Sequence, residues 1–192
     1  MKISASGFLI FFIALLNMGC SFSPKQPVLH DFGLPSFVST NKVIPTDGVG
    51  ITVDAPTWLW DNRLRYRLLY APQTRIGFYA LDLWVAPPPE LFEQLLISSG
   101  KIKNYALIIS LKSFEQQFDE PNQSRVVMSF LVEAYSVDKK TKIGVQAFYL
   151  EKAAIPANAA GAINGFANLT RQAADKIQIW LVGLSDKSIK KL

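Results

Sequence analysis

Few residues in this 192-residue chain can do covalent or acid–base chemistry. There is one cysteine, Cys20, and one histidine, His30. A structural zinc site needs about four Cys or His ligands, and a Cys–His nucleophile needs a free thiol beside an imidazole. The count leaves room for neither. A serine nucleophile would have to take His30 as its base, and no Gly-x-Ser-x-Gly elbow holds a serine for it. His30-Asp31 reads as a polar loop. The paired carboxylates Asp119-Glu120 stand beside Pro121 and read as solvated turn residues. Gly48 and Gly50 extend to no phosphate-cradling pattern. No catalytic group, metal or cofactor is expected, and the chain is not expected to be an enzyme.

Cys20 has a different context. Lys2 precedes an unbroken apolar run, Phe8–Leu16, of nine residues. A membrane-spanning helix needs roughly 20, so the run has the length and flanks of a signal-peptide core. Gly19 and Cys20 follow, then a polar, proline-containing stretch to Pro27. A small residue before a cysteine at this place resembles the lipobox of exported lipoproteins, with Asn17 where leucine is usual and Leu16 one step further away. The expected organisation is a lipoprotein signal peptide over 1–19, a lipidated Cys20 with its tether over 20–27, one domain over 28–184, and a basic tail over 185–192. Two or three acyl chains on Cys20, palmitate among them, would hold the protein firmly on a membrane. By resemblance to Gram-negative lipoproteins, Ser21 after the cysteine implies the outer membrane, with the domain facing the periplasm.

The net charge of +5 is modest, and its lysines cluster in Lys139-Lys140-Thr-Lys142 and near the C-terminus. No basic stripe interleaves with aromatics, so nucleic acid is not an expected partner. The aromatics concentrate elsewhere. Trp58, Trp60, Tyr66, Tyr70, Phe78, Tyr79 and Trp84 lie near Arg63, Arg65, Arg67 and Arg75. Trp, Tyr and Arg are the residues enriched in protein interfaces. If residues 58–60 are extended, Trp58 and Trp60 share a face and form a candidate interface pair.

These residues must be positioned by regular elements. Pro27–Gly33 suggests a short extended piece. Residues 50–56, 64–70 and 76–84 read as strands. Pro87-Pro88-Pro89 opens a helix with an apolar stripe through Leu91, Phe92, Leu95 and Leu96, stopped by Gly100. Residues 104–118, 125–137 and 143–151 read as a three-stranded antiparallel meander. The first half of 104–118 is apolar at odd and even positions and is expected to be covered on both faces. Ile163, Phe166, Thr170, Ala173, Ile177 and Trp180 follow helical spacing from Pro156, with Gly183 as the stop. The fold class is α+β, a two-layer sandwich whose mostly antiparallel sheet carries two helices on one face.

The order of features resembles a known family. Tyr66-Arg-Leu-Leu-Tyr70, Phe78-Tyr79-Ala80, then Trp84-Val-Ala-Pro87-Pro88 with Leu91, ahead of the long strands and a helix opening near Pro156, is similar to the ABC-type transport auxiliary lipoproteins, which include the paraquat-inducible protein C lipoproteins. The likeness spans roughly residues 28–184. It implies a non-enzymatic outer-membrane lipoprotein that serves an envelope system carrying lipids or hydrophobic compounds. The implied partner is the mammalian-cell-entry (MCE) domain protein of an ABC-type transporter, and self-association into a homo-oligomer is conceivable beside such ring-shaped partners. Tyr79, Trp84, Pro87 and Pro88 carry the family motif and read as a strand-to-helix junction in which Trp84 packs under the helix that the prolines start. A second functional reading is a lipid- or small-ligand-binding lipoprotein that acts as a shuttle, which requires an enclosed apolar cavity.

Overall fold

The computed structural model describes residues 25–33, 50–72 and 74–189, with side chains through residue 185. The expected signal peptide, Cys20, most of the expected tether and the last residues of the expected tail lie outside the described residues. Among the described residues nine regular elements follow one another: β1 (Val28–His30), β2 (Ile51–Asp54), β3 (Arg63–Leu68), β4 (Ile76–Trp84), α1 (Pro88–Ser99), β5 (Ala106–Glu120), β6 (Gln123–Tyr135), β7 (Lys142–Ala153) and α2 (Ala159–Ile189). A 3-10 turn, Thr57–Leu59, joins β2 to β3.

The strands make one sheet in the order β1-β4-β3-β5-β6-β7, with β2 also paired to β5. The long ladders are antiparallel, β5 with β6 and β6 with β7, as is the β3–β4 pair. Three short pairings are parallel: β1–β4, β2–β5 and β3–β5. Because β6 occupies one edge of β5, β2 and β3 share the other. β2 takes Leu107–Ser110 and β3 takes Gln116–Phe118. The sheet is therefore mixed, and with both helices on one face the molecule is the expected α+β two-layer sandwich.

The helix-facing side of β6 is its even residues, Val126, Met128, Phe130, Val132 and Ala134, all buried. β5 presents Leu107, Ile109 and Leu111 to the same side, then Phe114, Gln116 and Phe118. The ladder slips between Leu111 and Ser113. A bulge inserts one unpaired residue and exchanges odd for even. The expectation that the first half of β5 is covered on both faces is corrected: Leu107, Ile109 and Leu111 are buried under the helices, but on the other face, where Ala106 is buried, Ile108 is 42% exposed.

α1 starts on Pro88 with Pro87 at its N-cap, and Gly100 closes it at φ 60°. Only glycine adopts that left-handed geometry without steric cost. Leu91, Phe92, Leu95 and Leu96 are buried, and the Phe92 ring meets Phe130 edge-on at 5.6 Å. Glu93 accepts a 2.8 Å hydrogen bond from the Val53 amide, fastening α1 to β2. α2 is capped by Asn158, whose Oδ1 accepts from the Gly161 amide at 3.1 Å. Its face of Phe166, Leu169, Thr170, Ala173 and Ile177 is buried. The helix runs past Gly183 to Ile189, so Gly183 is not the stop. A Cβ there would meet nothing within 4 Å, and a solvent-facing glycine costs a helix only about 1 kcal/mol. Packing of Trp180 and Leu184 against the core outweighs it.

Candidate functional site

Of the candidate motif residues, Trp84 and Pro88 are buried in the core, while Tyr79 and Pro87 are half-buried. Trp84 ends β4 and is 1% exposed. Its ring stands edge-on to Phe32 at 5.2 Å, to Phe166 at 5.8 Å and to Phe114 at 6.0 Å. Phe114 stacks on Phe166 at 3.9 Å. Each such pair contributes about 0.5–1.5 kcal/mol beyond its buried area. The expectation set Trp84 under α1. Its aromatic partners lie on β5, in the segment after β1 and on α2. Pro88, at the start of α1, lines a cavity of about 10 Å³ beside it, room for a single water. Pro88 is buried and Pro87 half-buried.

Tyr79 lies five residues earlier in the same strand. Its hydroxyl donates to Gln116 Oε1 at 2.8 Å, and burial, with smaller contributions from Tyr66 and Asp82, pushes its pKa up to about 12. Gln116 is fully buried, and its amide donates to Ser124 Oγ at 2.8 Å and to the Asn158 carbonyl at 3.4 Å. The Tyr66 ring is tilted on Tyr79 at 5.1 Å and lies across Gly77, where a Cβ would come within 2.2 Å of the ring. This network joins β4, β5, β6 and the start of α2. It fixes geometry and carries no reactive group.

The opposite face of β3 holds the arginines. Arg67 donates to Glu115 Oε1 at 2.9 Å and Oε2 at 3.2 Å, and Arg65 Nε is 3.4 Å from Oε2. Burial alone would raise the Glu115 pKa, but hydrogen bonds from Arg67 and Gln117 and the charges of Arg67 and Arg65 outweigh it and hold the carboxyl below its usual range. Arg65 lies over the Trp58 ring at 4.3 Å and Arg63 over Phe78 at 3.8 Å. Arg63 also pairs with Asp61.

Trp58 and Trp60 are not on an extended segment. They flank the buried Leu59 in the 3-10 turn, because Pro56 opens the turn and Leu59 needs the core. Both stay on the surface, 48% and 45% exposed. The Trp60 indole donates to the Ala55 carbonyl at 3.1 Å, and Trp58 is held by Arg65. Two pinned and half-exposed indoles are pre-organised contact area, which lowers the entropy cost of binding.

His30 is in β1, and its Nε2 is 3.0 Å from Asp82 Oδ1 across the β1–β4 pair. Among the described residues no hydroxyl hydrogen-bonds this imidazole, and no three His, Cys, Asp or Glu side chains gather in a metal-holding group. None of the described helices is long and apolar enough to cross a membrane.

The fold has solved counterparts. A crystal structure of a Xanthomonas campestris protein of family DUF330 superposes with a TM-score of 0.62 at 14% identity, covering 73% of this chain and 86% of that one. A second, titled only as an uncharacterised protein, gives a TM-score of 0.59 at 14% identity, covering 81% of this chain and 99% of the other. At these identities the likeness is one of fold, and neither title states an activity. No family model and no curated protein matches the sequence.

The residues that sequence reasoning missed are Gln116 and Glu115. Both sit in a strand that reads as amphipathic, and a polar pair after a bulge carries no local signal of burial.

Proposed function

We propose that this protein is a non-enzymatic outer-membrane lipoprotein, held in the periplasm by acylated Cys20, that docks with the MCE-domain component of an ABC-type system moving lipids or hydrophobic compounds. The lipobox-like sequence supports the anchor. The fold shared with a DUF330 protein is consistent with a transport auxiliary lipoprotein. One observation favours docking over carrying: among the described residues the aromatic cluster at Trp84 leaves a cavity of only about 10 Å³, the larger hollows of about 460–570 Å³ are open surface clefts, and two tryptophans are turned outward. An acyl chain of lipid size needs a cavity tens of times larger.

The competing shuttle reading is tested by extracting lipid from protein purified out of native envelopes. Docking predicts less than about one non-covalent lipid per ten chains, beyond the acyl groups on Cys20; a shuttle predicts about one per chain. In parallel, Cys20→Ala is expected to leave an unprocessed, non-acylated chain. An unchanged mass and unchanged fractionation would refute the anchor.

A further inference from the structure

β7 is the last strand on its side of the sheet, and its outer edge pairs with no strand among the described residues. At twelve residues it is twice the usual strand length. Its centre, residues 143–150, carries no charged side chain and no proline, the devices that keep a free edge from pairing. Its register slip against β6 lies at one end, between Ala134 and Tyr135. The edge on the far side of the sheet is β1, which has only three residues.

Which groups face that edge follows from the ladder. The Ala154 amide donates to the Ser124 carbonyl at 2.9 Å, one step beyond the Arg125–Ala153 pair. Hydrogen-bonded and non-bonded pairs alternate in an antiparallel ladder, so the even residues of β7 bond to β6. Val145, Ala147, Tyr149, Glu151 and Ala153 turn their amides and carbonyls outward. In keeping with this, the Ala147 carbonyl accepts from the Gln146 side chain at 2.9 Å. The side chains of these five stand on the open face, away from the helices, and all are exposed. Lys142 joins them. The slip leaves out Ile143 and sets Lys142 opposite Tyr135, where its ammonium donates to Glu133 at 2.7 Å. From one end of the edge to the other the open face thus reads Lys142, Val145, Ala147, Tyr149, Glu151.

That order is self-complementary, and we propose that β7 pairs antiparallel with β7 of a second copy of this chain, about a two-fold axis at Ala147. Ala147 then faces Ala147 of the second copy, Val145 faces its Tyr149, and Lys142 comes beside its Glu151. A two-fold interface repeats each contact with the roles exchanged, so the ion pair forms at both ends. Opposite charges, and an aromatic ring against a β-branched side chain, are the favourable cross-strand pairs. Sliding one strand by two residues sets Glu151 against Val145, or carries it past Lys142, and both ion pairs are lost. The side chains that meet are open to solvent: Lys142 and Glu151 are 44% and 52% exposed, and Tyr149 is 62% exposed. The outward amides and carbonyls bond to one another, and one sheet runs through both copies. Trp58 and Trp60 precede β3, three strands from β7, and stay free. Docking through the tryptophans and pairing through β7 therefore stand or fall separately.

The test is thiol crosslinking in cells producing the full chain, with the unsubstituted chain as the background for Cys20. In Ala147→Cys the two thiols sit at the axis, on backbones about 5.5 Å apart. In Ala153→Cys, six residues along the same face, the backbones are about 40 Å apart. A short bis-maleimide is expected to give at least about tenfold more covalent dimer from Ala147→Cys than from Ala153→Cys or the background, because only the first pair is within its reach. In chains that also carry Ala147→Cys, Lys142→Glu alone or Glu151→Lys alone brings like charges together at both ends and should cut the yield about tenfold. Producing those two variants in one cell should restore most of it, since the mixed pair again sets opposite charges at each end. Dimer from Ala147→Cys no greater than background would overturn the proposal, as would equal dimer from Ala147→Cys and Ala153→Cys, which is the signature of random collision. Two charge variants that recover nothing when mixed would overturn the register.

Discussion

The hydroxyl of Tyr79 donates a 2.8 Å hydrogen bond to the side-chain carbonyl of Gln116, reaching past β3 from one strand to another. Tyr79 is a motif residue, and this contact gives it a structural reason. Gln116 is wholly buried at a place where its carbonyl needs a donor. Tyr79→Phe is expected to destabilise the fold by about 1–3 kcal/mol, the cost of an orphaned buried acceptor, read from the denaturant midpoint at unchanged slope. Tyr79→Phe combined with Gln116→Leu should cost less than the two single changes together.

The same tyrosine sets an alkaline limit. Burial raises its folded pKa to about 12, above the unfolded value of about 10. The folded state thus holds the proton more tightly. This contribution is complete below pH about 10 and is lost as pH rises towards 12. Denaturation followed between pH 9 and 12 should fall more steeply in the wild type than in Tyr79→Phe. Parallel curves would contradict the assignment.

At the acid side Glu115 is one of the contributing groups. Its folded pKa is held below the unfolded one by Arg67, Gln117 and Arg65. Its contribution is therefore present above the unfolded value and lost as pH falls through the folded one. Glu115→Gln leaves two half-buried guanidiniums without their carboxylate and is expected to cost about 2–3 kcal/mol at neutral pH. The loss should shrink in acid, where the wild-type carboxyl is itself protonated. A penalty that stays constant from neutral pH to strong acid would show that packing, and not charge, is responsible.

Trp84 tests the centre of the core. Trp84→Ala removes a ring in contact with Phe32, Phe114 and Phe166 and is expected to cost about 3–5 kcal/mol, measured as a fall in thermal midpoint. A cost below about 1 kcal/mol would mean the site collapses freely and the aromatic cluster is not the core's keystone.

Much of this architecture was legible in the chain. β4 runs over the residues its pattern predicts, α1 ends at Gly100, and the meander has the expected order, because alternation and turn residues act locally. The parallel pairings of β1, β2 and β3 were not legible, since they depend on crossover connections and on which edge of β5 is left vacant. The bulge at Lys112 hid as well, moving the buried side of β5 from odd to even residues, and the apolar but exposed Ile108 before it made the first half read as covered on two faces. For Trp58 and Trp60 the pattern suggested a shared strand face, and the buried Leu59 between them made a turn instead. Their outward placement came from the turn, and their rigidity from Arg65 and Ala55, neither visible in the spacing.

Co-purification from crosslinked, detergent-solubilised envelopes tests the central claim most directly. Tagged wild-type protein is predicted to bring down an MCE-domain protein. Trp58→Ala with Trp60→Ala, a surface change expected to leave the thermal midpoint nearly unchanged, should reduce that recovery at least about tenfold. Repeated absence of any MCE-domain protein from the wild-type sample under crosslinking would contradict the account.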